Sequence, residues 1–141
     1  MFLRTLPQQV WFVALVVVCI LAFWRGGRPE RLVAVLWAIS WLISRSVYNY
    51  DNWIDPQWSV LAVDVGVLIA FAALAAYSDR TWLLFATAFQ LLNVVTHVAM
   101  IVDSEVRARA YVYGLVIWSY MVLAAIGVGA WAEGRRESPN R

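Results

Sequence analysis

Long apolar runs broken only by short polar interruptions constrain this chain more than any other feature. A hydrocarbon core about 30 Å thick is crossed by roughly 17–25 residues of helix. Five runs in the 141 residues meet or approach that length. The spacing predicts helices over about 7–24, 30–48, 56–77, 80–102 and 105–132, with a polar cytoplasmic tail from 133 to 141. The expected fold is all-α: an integral membrane bundle of about five transmembrane helices and no separate soluble domain.

Composition supports the same class. Hydrophobic residues make up 63% of the chain and charged ones 14%, against about 25% charged in ordinary soluble domains. Because the apolar residues are segregated into runs, they do not describe a larger soluble core. The basic residues are arginines scattered between those runs, and the net charge is only +2, so nucleic-acid binding is not expected. Cys19 is alone, which excludes an intrachain disulfide. No Ala-x-Ala site or lipidation motif accompanies the first run, so that helix is expected to be retained.

Local signals mark the breaks. Arg25-Gly26-Gly27-Arg28 ends the first helix, because paired glycines favour a turn. Pro7, Pro29 and Pro56 suit first helical turns. Asp55 can cap the third helix, Asp79 the fourth, and Asp103 or Ser104 the fifth. The second run is the least apolar, nearly charge-free only from Leu32 to Ile43, with Arg45 placed to snorkel toward headgroups. Trp11, Trp24, Trp53, Trp58, Trp82 and Trp131 fall near run ends and read as interfacial belts. Trp37, Trp41 and Trp118 lie deeper, with lipid-facing packing as the ordinary explanation.

Five spans put the termini on opposite sides. The 25–31 turn, Arg80 and the C-terminal tail together hold seven arginines; Arg4, Arg45, Arg107 and Arg109 lie on the other side. The positive-inside rule then predicts an outside N-terminus and a cytoplasmic C-terminus. A multi-pass protein of the bacterial inner membrane is the expected location.

One group of residues has chemical potential. The third and fourth helices meet near Asp79, with Asp64 fifteen residues before it and His97 eighteen after. At about 1.5 Å per residue their depths differ by about one turn. Gln90, Asn93 and His97, at i, i+3 and i+7, share one helical face. A polar stripe is costly against lipid, so it should face the bundle or a wet cavity. Arg45 comes to the same side from the second helix. Asp64, His97, Asn93, Gln90 and Arg45 are therefore the candidate ligand or proton site. The plainer reading is a set of interhelical hydrogen bonds that fasten the bundle.

Other chemistries fit less well. A zinc site wants three or four ligands, and one histidine with one distant cysteine does not supply them. Paired-histidine haem is impossible in one chain. His97 with Met100 or Met121 has no supporting signature. Ser119 has no Gly-x-Ser-x-Gly around it. The Asn49, Asp51, Asn52, Asp55 loop lacks calcium-loop spacing. No metal or cofactor is expected.

The favoured function is a non-catalytic accessory or self-associating membrane subunit. Its partners would be lipid and a second membrane protein or copy, met through the small-residue stripes Ala62/Gly66/Ala70 and Ala125/Gly129. The alternative is a small transporter or proton-coupled binding protein using Asp64 and His97. A lipid- or quinone-directed enzyme with His97 as acid or base has the least support.

Overall fold

The computed structural model describes residues 6–49, 57–102 and 108–136, with the side chains of 6–8, 108, 109 and 136 left aside. These residues form five α-helices: α1 (Leu6–Arg25), α2 (Arg28–Val47), α3 (Trp58–Ala76), α4 (Thr81–Val102) and α5 (Ala108–Arg136). The loop at 50–56 and the proposed caps Asp55, Asp103 and Ser104 lie outside the described residues.

Each helix packs on its neighbour in sequence, and α1 also packs on α5. The chain therefore closes into a ring, α1–α2–α3–α4–α5, with a lesser contact from α2 to α5. Successive helices alternate in direction. One end of the ring gathers the α1–α2 and α3–α4 turns with the end of α5. The other gathers the end of α2, the starts of α3 and α5, and the end of α4.

Three helical stretches are long and apolar enough to cross a membrane: Trp58–Ala76, Thr81–Val102 and Ala110–Arg135. α1 contributes a shorter apolar stretch, Gln9–Arg25. α2 is not in this set, because its ends carry Arg28, Glu30, Arg31 and Arg45. Its outer face is nonetheless greasy, with Leu32, Val35, Ile39, Leu42 and Ile43 exposed. Exposed aliphatic and aromatic side chains such as Ile20, Ile69, Phe85 and Ile117 continue this surface around the ring. A soluble monomer rarely exposes so much contiguous apolar area; a bilayer accepts it.

The interior has an apolar middle. Leu15, Val33, Trp37, Val67, Phe71, Leu83, Val122 and Ile126 pack there, with the Trp37 and Phe71 rings 6.2 Å apart. Trp37 is only 4% exposed. This corrects the expectation of lipid-facing packing: α2 buries Glu30, Val33, Ala34, Trp37 and Ser40, a stripe at helical spacing that carries Trp37 inward. Trp41 instead stacks on Trp11 of α1 at 5.0 Å.

Two further expectations change. α5 runs past the expected helix end at 132, to Arg136. Glu133 forms a two-pronged ion pair with Arg80, including Nη2 to Oε1 at 2.7 Å, and Gly134 lies against the Arg25 side chain. Arg25 in turn sits 4.7 Å above the Trp131 ring. Trp82, expected in the interfacial belt, is 9% exposed. Its ring lies flat on Gly129, where an added Cβ would come within 2.5 Å of Cδ2. The Ala125/Gly129 stripe is thus buried within this chain, whereas Ala62 and Gly66 are exposed, with nothing within 4 Å of a Cβ at Gly66.

Candidate functional site

The inward stripe of α3 is Val60, Asp64, Val67 and Phe71. That of α4 includes Leu83, Ala86, Gln90, Asn93, His97 and Met100. Both repeat at three- and four-residue steps, so helix geometry alone carries the polar residues to the inside. At the end of the ring where α3 starts and α4 finishes, these residues form a connected layer.

Asp64 is its centre. Its Oδ2 lies 3.0 Å from His97 Nε2. Gln90 Nε2 donates to Asp64 Oδ1 at 3.1 Å and to the Asp64 main-chain carbonyl at 3.0 Å. Both of those partners are acceptors, which fixes how the Gln90 amide is turned. On the far side of the imidazole, Nδ1 is 2.8 Å from the Tyr111 hydroxyl. The His97 and Tyr111 rings meet edge to face, 5.3 Å apart and inclined at 77°. The result is an unbroken series, Tyr111–His97–Asp64, reaching from α5 across α4 to α3.

The series is well buried. Asp64 is 7% exposed, and His97 and Tyr111 are each 2% exposed. Two acceptors beside it have no hydrogen-bond partner: Gln90 Oε1 and Asn93 Oδ1. Burying an unmatched amide oxygen costs about 1–3 kcal/mol.

Four of the five candidate residues, Asp64, Gln90, Asn93 and His97, thus share this layer. Arg45 is half-buried near the end of α2, and the bonds on the Asp64 carboxylate come from α4 instead. At the same end of the ring Gln57 stands just before α3. Its Oε1 accepts from the Asn49 main-chain N–H at 3.0 Å, tying the end of α2 to the start of α3. Asp64 and His97 supply two donors for a metal, and among the described residues no third His, Cys, Asp or Glu joins them.

Sequence reasoning missed Tyr111. A tyrosine in a first helical turn reads as an interfacial aromatic, and no periodicity marks it. The depth count used for Asp64 and His97 would have found it. His97 and Tyr111 stand at similar distances on either side of the 103–107 connection, so they share a level.

The opposite end holds a second polar group, also unforeseen. Glu30, fully buried in the first turn of α2, accepts from Trp82 Nε1 at 3.0 Å. Its other oxygen has no hydrogen-bond partner. A helix N-terminus is a favourable place for an acidic side chain.

Comparison with protein-family models, curated proteins and solved structures finds no match to this chain.

Proposed function

We propose that this chain is a five-span membrane protein whose Tyr111–His97–Asp64 series is a proton relay for a proton-coupled binding or transport step. The N-terminus is outside, the C-terminus is cytoplasmic, and a bacterial inner membrane is the setting. The observation that carries the reading is that both ring nitrogens of a buried histidine are engaged, one by a hydroxyl and one by a carboxylate.

The chemistry balances without breaking a contact. In the starting state the Tyr111 O–H donates to Nδ1, and Nε2–H donates to Asp64. A proton arriving at the Tyr111 oxygen lets that hydroxyl pass its own proton to Nδ1. The imidazole then releases the Nε2 proton to Asp64 Oδ2. Tyrosine ends neutral, histidine ends as the other tautomer, and the carboxylate ends protonated. Each hydrogen bond remains with its sense reversed. Gln90 continues to hold Oδ1 throughout. An intramembrane carboxylate that changes charge in place is the usual element of proton relays. The open oxygens of Gln90 and Asn93 would receive the donor groups of whatever is coupled to that change.

Vesicles containing the purified protein and a trapped pH dye test this. An imposed pH gradient should drive proton entry in the native protein. Asp64→Asn and His97→Ala should reduce it to the level of empty vesicles, with helix content retained. Entry at the native rate in both variants would reject the relay.

A second reading is favoured by a different observation. The Ala62/Gly66/Ala70 stripe leaves open space at Gly66, which suits close approach by another helix. This is the accessory or self-associating subunit. Strict monomers, with no cross-linking from cysteines placed along that stripe, would count against it.

A further inference from the structure

Among the described residues, four buried side-chain atoms have no hydrogen-bond partner: Glu30 Oε2, Trp37 Nε1, Gln90 Oε1 and Asn93 Oδ1. The last three lie close to one level of the bundle. α2 and α4 are not neighbours in the ring and face each other across it. The Trp82–Glu30 bond crosses that gap and fixes the register of the two helices. Trp37 stands seven residues past Glu30, and Gln90 eight past Trp82, about two turns in each case. Asn93 follows Gln90 one turn on. All three belong to the inward stripes of their helices, and none is more than 4% exposed.

The unmatched atoms have complementary sense. The indole N–H is a donor, and the two amide oxygens are acceptors. Two turns away, a tryptophan from one of these helices and an acid from the other are long enough to meet, Trp82 Nε1 donating to Glu30 at 3.0 Å. At the Trp37 level a tryptophan again stands against a side chain of that length, yet the two do not bond. Gln90 is drawn sideways onto α3, where its Nε2 is spent on the Asp64 carboxylate and the Asp64 main-chain carbonyl. The Trp37 ring also packs toward α3, 6.2 Å from the Phe71 ring. Ser40, one turn on along α2, spends its hydroxyl on the Trp37 main-chain carbonyl and offers the indole nothing.

We infer that a buried water bridges Trp37 of α2 to Gln90 and Asn93 of α4. Its oxygen accepts from the Trp37 indole N–H, and its two hydrogens go to Gln90 Oε1 and Asn93 Oδ1. A buried water makes about three hydrogen bonds, to groups that lack another partner, and these three atoms supply that set. The bridge brings α2 into a layer otherwise built from α3, α4 and α5. Through the Gln90 amide it links the Trp37 indole to the Asp64 carboxylate. It also occupies the oxygens that a solute coupled to the relay would need. The bridge rests on the packing of α2 against the ring, and not on the relay carrying protons.

Nuclear magnetic resonance of the full chain in lipid nanodiscs, with isotopically labelled indole nitrogens, tests this. Trp37→Phe identifies the Trp37 indole signal by its loss. In the native chain that signal should show a cross-relaxation peak with water, of the sign that a resident water gives. Asn93→Leu leaves the Gln90–Asp64 bonds in place and should weaken the peak. Asn93→Leu combined with Gln90→Met takes away both acceptors and should remove it. A native Trp37 signal without a water peak would overturn the inference. So would a peak unchanged in Asn93→Leu, or one that survives the double substitution. Proton entry plays no part in this measurement, so the bridge and the relay can fail separately.

Discussion

Single atoms decide how firmly the relay layer is fixed. Tyr111→Phe removes one oxygen and leaves the ring in place, so His97 Nδ1 loses its contact at 2.8 Å with little change in packing. A buried nitrogen left without a partner costs about 1–3 kcal/mol. Reversible unfolding in mixed micelles should show a loss of that size, and a variant as stable as the native protein would mean that water replaces the hydroxyl. The glycines give a matched pair. Gly129→Ala must push the Trp82 ring away, since its Cβ would lie 2.5 Å from Cδ2, and the Trp82–Glu30 bond moves with it. Overpacking of this kind costs about 1–3 kcal/mol. Gly66→Ala meets nothing within 4 Å and should gain up to about 1 kcal/mol from helix propensity. The same unfolding assay checks both, and equal effects would contradict the close approach at Gly129.

Elements carry their own test, at the end of α5. The last turns of this helix are fastened by Glu133 to Arg80 at the start of α4 and by Gly134 against Arg25 of α1. The Arg80 and Glu133 side chains are 24% and 12% exposed, between surface and interior. Glu133→Gln should therefore cost about 1–2 kcal/mol, more than an exposed pair and less than a buried one. Ending the chain after Ala132 should cost at least as much. Hydrogen exchange of the α5 end reports both. Helix positions were legible in the sequence because apolar runs and the Gly26-Gly27 break speak directly about the backbone. Helix rotation was less so. The Gln90, Asn93, His97 stripe announced its facing, since three polar residues at helical spacing leave one choice. Glu30 and Trp82 did not. A first-turn acid and an end-of-run tryptophan each have an ordinary explanation, the helix dipole and the interfacial belt. Their meeting depends on how α2 and α4 are turned across the ring.

At the scale of the whole molecule, the ring places two polar groups at opposite ends of an apolar core. The relay layer sits where α4 ends and α5 begins. Glu30, Arg80 and Glu133 sit where α1 ends and α4 begins. Between them α3 runs 19 residues, about 28 Å at helical rise, which matches the hydrocarbon thickness. In the proposed five-span topology each group belongs to one face of the membrane. In the proposed orientation the Glu30 face, with Arg25, Arg28, Arg31, Arg80 and Arg135, is the cytoplasmic one. Two exposed positions separate the faces: Ser46 near the end of α2, and Tyr77 just after α3. In a chain whose half-buried Cys19 is replaced by Ala, Ser46→Cys should react with an impermeant maleimide added outside intact cells. Tyr77→Cys should react only after the cells are opened. The reverse pattern would invert the protein and leave the ring intact. Labelling of both from the same side would mean that α3 does not cross, and the Asp64 and Glu30 ends would then share a surface that the alternating helices keep apart.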